Sequence, residues 1–266
     1  MKFPFFASLI SLVVLQLCAC KSKDSNAATT SSAADTLRYE MRTFIKHYCV
    51  NDNQCADFNI IYPEVAADSI QTTLIKNAIH ERIVAGVSGN GQLPFEIALD
   101  SAAIRFIHDF IQLKRDVPGQ EMGQSIQMTG AVAFNNPKVA TVRLDFNSFT
   151  GGAHPNSAVA VMTFDRSTGK ALKVSDFINN TTAVLPLLEK AFKKAKGLKE
   201  TDDIGQLLLS DTGKLPLPAN AGILKEGILF AYSDYEVSPH AVGRIGWQEV
   251  QRRVALCVAD IRSLWR

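Results

Sequence analysis

The chain begins with a short apolar segment, and this segment decides which part of the sequence can form a folded domain. Lys2 precedes an uncharged apolar run that extends from Phe3 to Leu17. A positive charge followed by such a run is typical of a secretory signal peptide. The run is shorter than the roughly 20 apolar residues that a membrane-spanning helix requires. We therefore expect export, with the folded domain outside the cytoplasm.

The apolar run ends in Leu17-Cys18-Ala19-Cys20, which resembles the lipobox of bacterial lipoproteins. The resemblance implies a lipoprotein signal peptide over residues 1–19, cleavage after Ala19, and acylation (palmitate-type chains) of Cys20. Several acyl chains on one residue anchor a protein more firmly than a single chain does. An ordinary secretory signal with cleavage elsewhere is the alternative. Because Lys21 and not an aspartate follows Cys20, the expected location is the cell envelope (periplasmic if the host has two membranes), with the anchor in the outer membrane of such a host.

The segment after the anchor is a tether, and the remainder suits one large domain. Residues 20–35 are mostly small or polar and cannot bury enough apolar surface to fold. We divide the domain into an N-terminal half, residues 36–120, and a C-terminal half, residues 121–266. The net charge of the whole chain is +2 and no basic run marks a nucleic-acid face. Nucleic acid is therefore excluded as a partner.

Three cysteines remain once Cys20 is acylated and the signal peptide is removed. An oxidising compartment favours a disulfide between Cys49 and Cys55, because turn-forming residues separate them and strand-like segments flank them. The expected local structure is a hairpin stapled near its tip. Cys257 is interpreted as a small buried apolar residue. No C-x-x-C pair is present, so we expect no metal and no cofactor.

Two helices are expected after the hairpin. Asp68 is the predicted N-cap of the first, with Gln71 as its capping-box partner. The second is predicted to begin at Asp100 or Ser101. The apolar residues at helical spacing are Ile70, Leu74, Ile75, Ile79 and Ile83 in the first helix, and Ile104, Ile107, Phe110 and Ile111 in the second.

The C-terminal half is rich in strand patterns. Alternation predicts strands over residues 126–134 and 142–146, and residues 157–164 are apolar on both faces, which indicates a central strand. A helix over residues 184–195 and a strand over residues 222–232 follow. The fold class is therefore α+β: an antiparallel sheet with packed helices, divided into a hairpin-plus-helices N-terminal half and a sheet-rich C-terminal half.

Two loop segments, residues 149–156 and 232–243, collect glycine, histidine and aromatic residues outside the periodic pattern. Loops carried by a rigid sheet often bind ligands, and tyrosine is favoured at contact centres. We therefore expect Tyr235 and His240, together with His154, to contact a ligand. Tight connections that are satisfied by their own hydrogen bonds are the alternative.

Several segments are similar to a known family. They are Thr150–His154, Val159–Phe164, Asp165–Lys170, Leu172–Phe177 and Phe230–Gly243. They resemble the extracytoplasmic domain family of the lysozyme-sensing anti-sigma factor RsiV, a domain of unknown function that also occurs in lipoproteins. The resemblance implies a stand-alone, membrane-anchored binding module for lysozyme or for a cell-wall glycan such as peptidoglycan. We expect no counterpart here of the sigma-binding segment, the transmembrane helix or the deacetylase module that occur beside such domains, so we do not infer their activities.

A cell-envelope hydrolase that acts on wall polymers is the alternative function. Its catalytic residues would come from His154, His240, Glu236 and Asp234, with Ser238 near them in sequence. No Gly-x-Ser-x-Gly or His-Glu-x-x-His motif accompanies them. The remaining histidines, His47, His80 and His108, lie in periodic segments and are interpreted as surface or core-edge residues. We therefore assign no catalytic residue and favour binding over catalysis.

The lipid anchor can be tested directly. Cys20→Ser should abolish labelling by a palmitate analogue and release the domain from membranes, because the acyl acceptor is gone. Labelling and membrane fractionation of the two proteins would measure this. Labelling that persists in the variant would contradict acylation at Cys20.

Overall fold

The computed structural model describes residues 36–119, 122–178, 180–225, 227–233 and 236–238. Predictions about Cys20, the tether, Cys257 and the last part of the chain therefore lie outside the described residues. Within the described residues, no helix combines the length and apolar character needed to cross a membrane.

The described elements form two sheets and four helices. The strands are β1 (Tyr39–Asn51), β2 (Gln54–Val65), β3 (Gln124–Asn135), β4 (Val139–Phe149), β5 (Asn156–Asp165), β6 (Asn220–Leu224) and β7 (Gly227–Ala231). The helices are α1 (Ile70–Gly86), α2 (Phe95–Asp116), α3 (Val174–Phe177) and α4 (Thr181–Ala195), and residues Gly205–Leu207 form a 3-10 turn. Strands β1 to β5 form one sheet in chain order, and β6 and β7 form a separate antiparallel ribbon.

The large sheet is mixed. Strand β2 pairs with β3 in parallel, whereas β1–β2, β3–β4 and β4–β5 are antiparallel. A parallel pair needs a long crossover, and α1 and α2 supply it because they lie between β2 and β3 in the chain. The α+β class is confirmed. The crossover makes one pair parallel, and it joins the two predicted halves in a single sheet.

One face of this sheet, called the inner face, packs against α1 and α2. It carries Phe58, Ile60 and Tyr62 of β2, which alternate with outward residues as a half-buried strand requires. Phe58 and Ile60 are completely buried. Burial of one such side chain stabilises the fold by about 1.5–3 kcal/mol. The main core therefore lies between the inner face and the two helices.

The opposite face, called the outer face, carries Asp57, Asn59 and Ile61 of β2, and the β6–β7 ribbon covers part of it. The side chains packed between ribbon and sheet are Val159, Val161, Leu229 and Ala231. Strand β5 is thus apolar on both faces although it lies at the edge of the sheet. The expectation of a central position was wrong, because a second layer buries the outer face of β5.

The start of α1 differs from the prediction by one residue. Ser69 caps the helix: its Oγ accepts a hydrogen bond from the Thr72 backbone N–H at 3.1 Å, and Thr72 Oγ1 accepts one from the Ser69 N–H at 3.0 Å. Asp68 instead forms an ion pair with Arg38. The prediction of an Asp68–Gln71 capping box was therefore wrong, because a long-range partner engages the carboxylate.

Helix α2 begins at Phe95, before the predicted start at Asp100 or Ser101. Its buried residues are Ala98, Leu99, Ala102, Ala103, Phe106 and Phe110, whereas Ile104 is 57% exposed. In α1, Ile70 is 77% exposed, and Ile75, Ile79 and Ile83 are buried as predicted. The prediction of which side of α2 is buried was therefore partly wrong. Alanines permit close packing on the sheet, and the side of α2 that carries them faces inward.

Two further predictions concern the last described elements. The helix predicted over residues 184–195 is present as α4, which Asn180 caps by accepting a hydrogen bond from the Ala183 N–H at 3.1 Å. The single strand predicted over residues 222–232 is instead the β6–β7 hairpin, since the chain turns between Leu224 and Gly227. Gly227 has φ 150°, a backbone conformation that favours glycine.

Gly222 lets the ribbon approach the sheet, and this contact can be tested. A Cβ atom there would lie 2.5 Å from Val161 Cγ1 and 2.9 Å from Thr141 Cγ2. Gly222→Ala should therefore lower the free energy of unfolding by about 1–3 kcal/mol through overpacking, as measured by urea denaturation. Gly91→Ala is the matched control, because nothing lies within 4 Å of the added atom. Equal stability of the two variants would contradict the packing argument.

Candidate functional site

A line of polar side chains crosses the outer face of the large sheet. The strand register places Asn59 opposite Gln127, Gln127 opposite Asn147, and Asn147 opposite Ser157. Residues that lie directly opposite each other on neighbouring strands project from the same face. These four residues, called the polar row, therefore form one line across β2, β3, β4 and β5.

The polar row offers both hydrogen-bond donors and acceptors. Gln127 and Asn147 are exposed, and Ser157 Oγ donates to Asn147 Oδ1 at 2.7 Å, which orients that amide. Asn59 Oδ1 is buried and has no hydrogen-bond partner among the described residues. An unpaired buried acceptor costs about 1–3 kcal/mol. A donor from a ligand or from water would remove this cost.

A second line of residues runs beside the polar row, towards the tip of the β1–β2 hairpin. The register places His47 opposite Asp57, Asp57 opposite Ser125, and Ser125 opposite Phe149. Phe149 is half-buried and adds an apolar ring to this face. The arrangement suits a ligand that presents hydroxyl or amide groups together with an apolar surface.

Ionic groups on the outer face are paired within the protein. Arg143 Nη2 lies 2.6 Å from Asp145 Oδ1, and both side chains belong to β4. His47 Nδ1 lies 2.6 Å from Asp57 Oδ1. Because the Arg143 and Asp145 charges neutralise each other and Asp57 is hydrogen-bonded to His47, these groups leave no cluster of positive charge on the described part of this face. It therefore favours a ligand that is polar and uncharged over a polyanion.

The predicted loop that contains His154 lies at the same end of the sheet as the tip of the β1–β2 hairpin. Residues 150–155 connect β4 to β5, and Gln124 Nε2 donates to the Thr150 carbonyl at 2.8 Å, which holds the loop against β3. His154 is half-buried, and its Nδ1 lies 3.3 Å from the Pro155 carbonyl. The chain reaches Ser157 of the polar row three residues later. His154 is therefore placed at the border of the outer face.

The described part of the second predicted loop is occupied by internal hydrogen bonds. Tyr232 OH donates to the Pro216 carbonyl at 2.6 Å, and burial raises the pKa of this phenol far above its usual value. The two carboxylate oxygens of Glu236 accept hydrogen bonds from the Ala219 and Ser233 N–H groups at 2.9 and 2.8 Å. Internal hydrogen bonds therefore hold the described part of this loop in place.

This loop nevertheless borders the same region. The Val159 N–H of β5 donates to Ser233 Oγ at 3.2 Å, two residues beyond Ser157. Asp234, Tyr235 and His240 lie outside the described residues, so ligand contact by Tyr235 and His240 stays a prediction.

The hairpin tip carries the predicted disulfide and a histidine that the sequence analysis did not connect with it. Cys49 and Cys55 lie opposite each other on β1 and β2 and are joined by a disulfide with a Cα–Cα distance of 4.0 Å. His47 Nε2 lies 2.9 Å from Cys49 Sγ. The missed signal was the His-x-Cys spacing, which places both side chains on one face of a strand. A loop this short contributes roughly 2 kcal/mol to stability.

A separate ionisable cluster lies at the border of the inner face, beneath α1. His80 Nε2 lies 2.8 Å from Glu64 Oε2, and Lys76 forms an ion pair with the same carboxylate. The His80 ring stacks on Phe95, with centroids 3.6 Å apart and an interplanar angle of 11°. Internal partners satisfy these groups, so we interpret the cluster as structural. His80 accordingly contributes to packing through its stack on Phe95 and its bond to Glu64.

The protonation states in this cluster follow from burial and charge. Burial lowers the pKa of His80 below its usual value of 6.5, although its bond to Glu64 acts in the opposite direction. Burial raises the pKa of Glu64, but hydrogen bonds from Lys76 and His80 outweigh it, and the net pKa lies below the usual 4.5. At neutral pH the imidazole is therefore neutral and donates to an ionised carboxylate.

These shifts predict acid sensitivity. Both groups have lower pKa values when folded than when unfolded, so the unfolded chain binds protons more readily. The contribution of His80 to stability is complete above pH 6.5, and that of Glu64 is complete above pH 4.5. Each contribution is lost as the pH falls through the pKa that the group has in the folded protein. Stability measured by urea denaturation between about pH 7 and about pH 4 should therefore fall, and His80→Gln should flatten this dependence because it removes the group that titrates in this range. The exposed His108→Gln variant is the control, and an unchanged pH profile in His80→Gln would contradict the assignment.

Two parts of the chain are similar to known sequence families. Residues 49–157 match the family model described as Deacetylase PdaC, and residues 174–248 match the model described as Protein of unknown function (DUF3298). The first match extends from the last residues of β1 to the start of β5, and the second covers the described elements from α3 to β7. No curated protein matches the chain at a significant level.

Two solved structures show the same fold. A DUF3298 family member from Bacteroides fragilis NCTC 9343 is 16% identical, with a TM-score of 0.61 over 78% of this chain and 87% of its own. A DUF3298 family protein from Pseudomonas aeruginosa PAO1 is 17% identical, with a TM-score of 0.54 over 77% of this chain and 87% of its own. At these identities the likeness shows the fold. Residues 49–157 are thus similar to the PdaC family and residues 174–248 to the DUF3298 family, and the chain shares its fold with two DUF3298 structures.

Proposed function

We propose that the chain is a lipid-anchored, extracytoplasmic binding module and that its ligand is a cell-wall glycan bound on the outer face. The observation that carries the proposal is the polar row, Asn59, Gln127, Asn147 and Ser157, beside the ring of Phe149. Glycans present many hydroxyl groups and flat apolar ring faces. Amide and hydroxyl side chains both donate and accept hydrogen bonds, and an aromatic ring contacts the apolar face.

The chain's organisation supports the same proposal. The signal peptide, the acylated Cys20 and the tether predicted from sequence would hold the domain at the surface of a membrane, within reach of the wall. The resemblance to the RsiV-type extracytoplasmic family points to the same compartment. Residues 49–157 match a family named for a deacetylase, which is also consistent with a wall-directed role.

Binding is favoured over the alternative, hydrolysis of wall polymers. A general base must lie within hydrogen-bond reach of the proton that it removes. Both carboxylate oxygens of Glu236 instead accept backbone N–H groups of the protein itself, and these bonds hold a loop in place. The amide and hydroxyl groups of the polar row are suited to binding and lack the basicity that catalysis requires.

Lysozyme is a second candidate ligand, and it would bind a different part of the surface, the exposed edge strand β1. Strand β1 lies at the edge of the sheet and exposes apolar side chains, with Ile45 60% exposed. The other exposed apolar residues of this strand are Tyr39, Met41, Tyr48 and Val50. An exposed apolar edge strand can pair with a protein partner. Together with the RsiV resemblance, this makes lysozyme the protein ligand to test.

The glycan proposal is tested by Gln127→Ala. Loss of one exposed amide from the centre of the polar row should weaken binding to purified peptidoglycan by about 5- to 30-fold, equivalent to about 1–2 kcal/mol, with an unchanged melting temperature. Gln92→Ala is the matched control, because Gln92 is an exposed glutamine in the α1–α2 loop. Co-sedimentation with peptidoglycan measures binding to the glycan, and a pull-down with lysozyme measures binding to the protein ligand.

Three outcomes distinguish the candidates. Weakened peptidoglycan binding in Gln127→Ala alone supports the glycan face. Binding to lysozyme that Ile45→Asp abolishes and Gln127→Ala preserves would favour the β1 edge and the protein ligand. Retention on peptidoglycan that is equal in wild type, Gln127→Ala and Gln92→Ala would contradict a role for the polar row.

A further inference from the structure

The tip of the β1–β2 hairpin brings together ionisable residues that lie outside the polar row. His47, Cys49, Cys55 and Asp57 all project from the outer face, because His47 lies opposite Asp57 and Cys49 lies opposite Cys55. One ligand atom from each of His47, Cys49 and Cys55 lies within 4.8 Å of the other two. The two sulfur atoms are bonded to each other in this state.

Asp57 sets the orientation of the imidazole. Its Oδ1 lies 2.6 Å from His47 Nδ1, so the carboxylate favours a proton on Nδ1. The lone pair is then on Nε2, which lies 2.9 Å from Cys49 Sγ. Metal-binding histidines commonly donate their second ring N–H to a carboxylate in this way. The imidazole is therefore oriented as a ligand towards the two sulfurs.

We propose that reduction of the Cys49–Cys55 disulfide converts the hairpin tip into a Zn²⁺ site. The ligands are the two thiolates and His47 Nε2, and a water molecule completes a tetrahedral coordination. A dithiol reductant transfers two electrons and two protons to the disulfide and becomes a disulfide itself. Zn²⁺ then displaces the two thiol protons as the Zn–S bonds form.

The geometry needs little rearrangement. Zn–S bonds of about 2.3 Å and a Zn–N bond of about 2.0–2.1 Å place tetrahedral ligand atoms roughly 3.5–3.8 Å apart. Reduction releases the two sulfurs from their bond, and small side-chain rotations bring them to this separation. Two thiolates and one imidazole are a soft, nitrogen-containing set that suits zinc and disfavours Mg²⁺ or Ca²⁺.

The backbone that carries the site does not depend on the disulfide alone. Strands β1 and β2 are paired in register from Tyr39–Val65 up to Cys49–Cys55. Phe44 and Phe58 add an edge-to-face ring contact between the strands, with centroids 6.0 Å apart. The side chain of His47 is 54% exposed, so a reductant and a metal ion can approach from solvent. Reduction therefore frees the sulfurs within a hairpin that remains paired.

The test uses the full chain. The protein is reduced with a phosphine under anaerobic conditions, the phosphine is removed, and Co²⁺ and then Zn²⁺ are titrated. We expect one equivalent of metal beyond that bound by the Cys49→Ser/Cys55→Ser double variant, with a thiolate-to-cobalt charge-transfer band. Cys257 is present in every variant, so any metal that it binds belongs to the background that is subtracted. The oxidised protein should lack this equivalent.

Single variants test the assigned ligands. His47→Ala should weaken the affinity for zinc by at least tenfold, and Asp57→Asn should weaken it by about tenfold through loss of imidazole orientation. His108→Ala is the matched control, because His108 is an exposed histidine on α2. Melting curves of the double variant and of the reduced protein show whether the hairpin survives without the disulfide.

Four results would overturn the proposal: no additional equivalent in the reduced protein, the same equivalent in the oxidised protein, unchanged affinity in His47→Ala, or loss of the cooperative melting transition on reduction. Glycan binding plays no part in these measurements, so failure of the polar row and failure of the zinc site are distinguishable.

Discussion

The register of β2 against its two neighbours is the constraint on which the rest of the structure depends. This strand pairs antiparallel with β1 and parallel with β3, and its side chains alternate between the two faces. Phe58 and Ile60 face α1 and α2, whereas Asp57 and Asn59 face outward. A slip of one residue would exchange these sets, burying a carboxylate and exposing the core. Core, polar row and hairpin tip therefore share one register.

The outer face divides into a structural part and an open part. Over β5 it is covered by the β6–β7 ribbon, and the buried pair Thr141 and Thr163 joins the layers: Thr141 Oγ1 donates to the Ile223 carbonyl at 2.6 Å, and Thr163 Oγ1 accepts from the Ile223 N–H at 3.0 Å. Over β2 and β3 the polar row is exposed or half-buried. A rigid sheet thus presents polar groups that its own packing does not require, which is typical of a binding surface.

Local patterns were sufficient for several elements, and it is clear where they failed. The hairpin, the disulfide and the buried isoleucines of α1 follow from residues close in sequence. The cap at Ser69, the buried face of α2 and the edge position of β5 do not. In each case a distant partner decided the outcome: Arg38 engages Asp68, alanines of α2 meet the sheet, and the ribbon covers β5. Periodicity shows which side of an element is apolar, but it does not show which other element packs against that side.

The sequence by itself determined the α+β class and the paired cysteines, and it predicts a leader and a tether over residues 1–35, because each depends on composition or on short spacings. Only the tertiary structure decided the polar row, since Asn59, Gln127, Asn147 and Ser157 are far apart in the chain and become neighbours through strand register. It also decided that His47 faces Cys49 and Asp57 together. Sites assembled across strands depend on hydrogen-bonded pairing, and pairing between distant segments is set by the burial of the whole core.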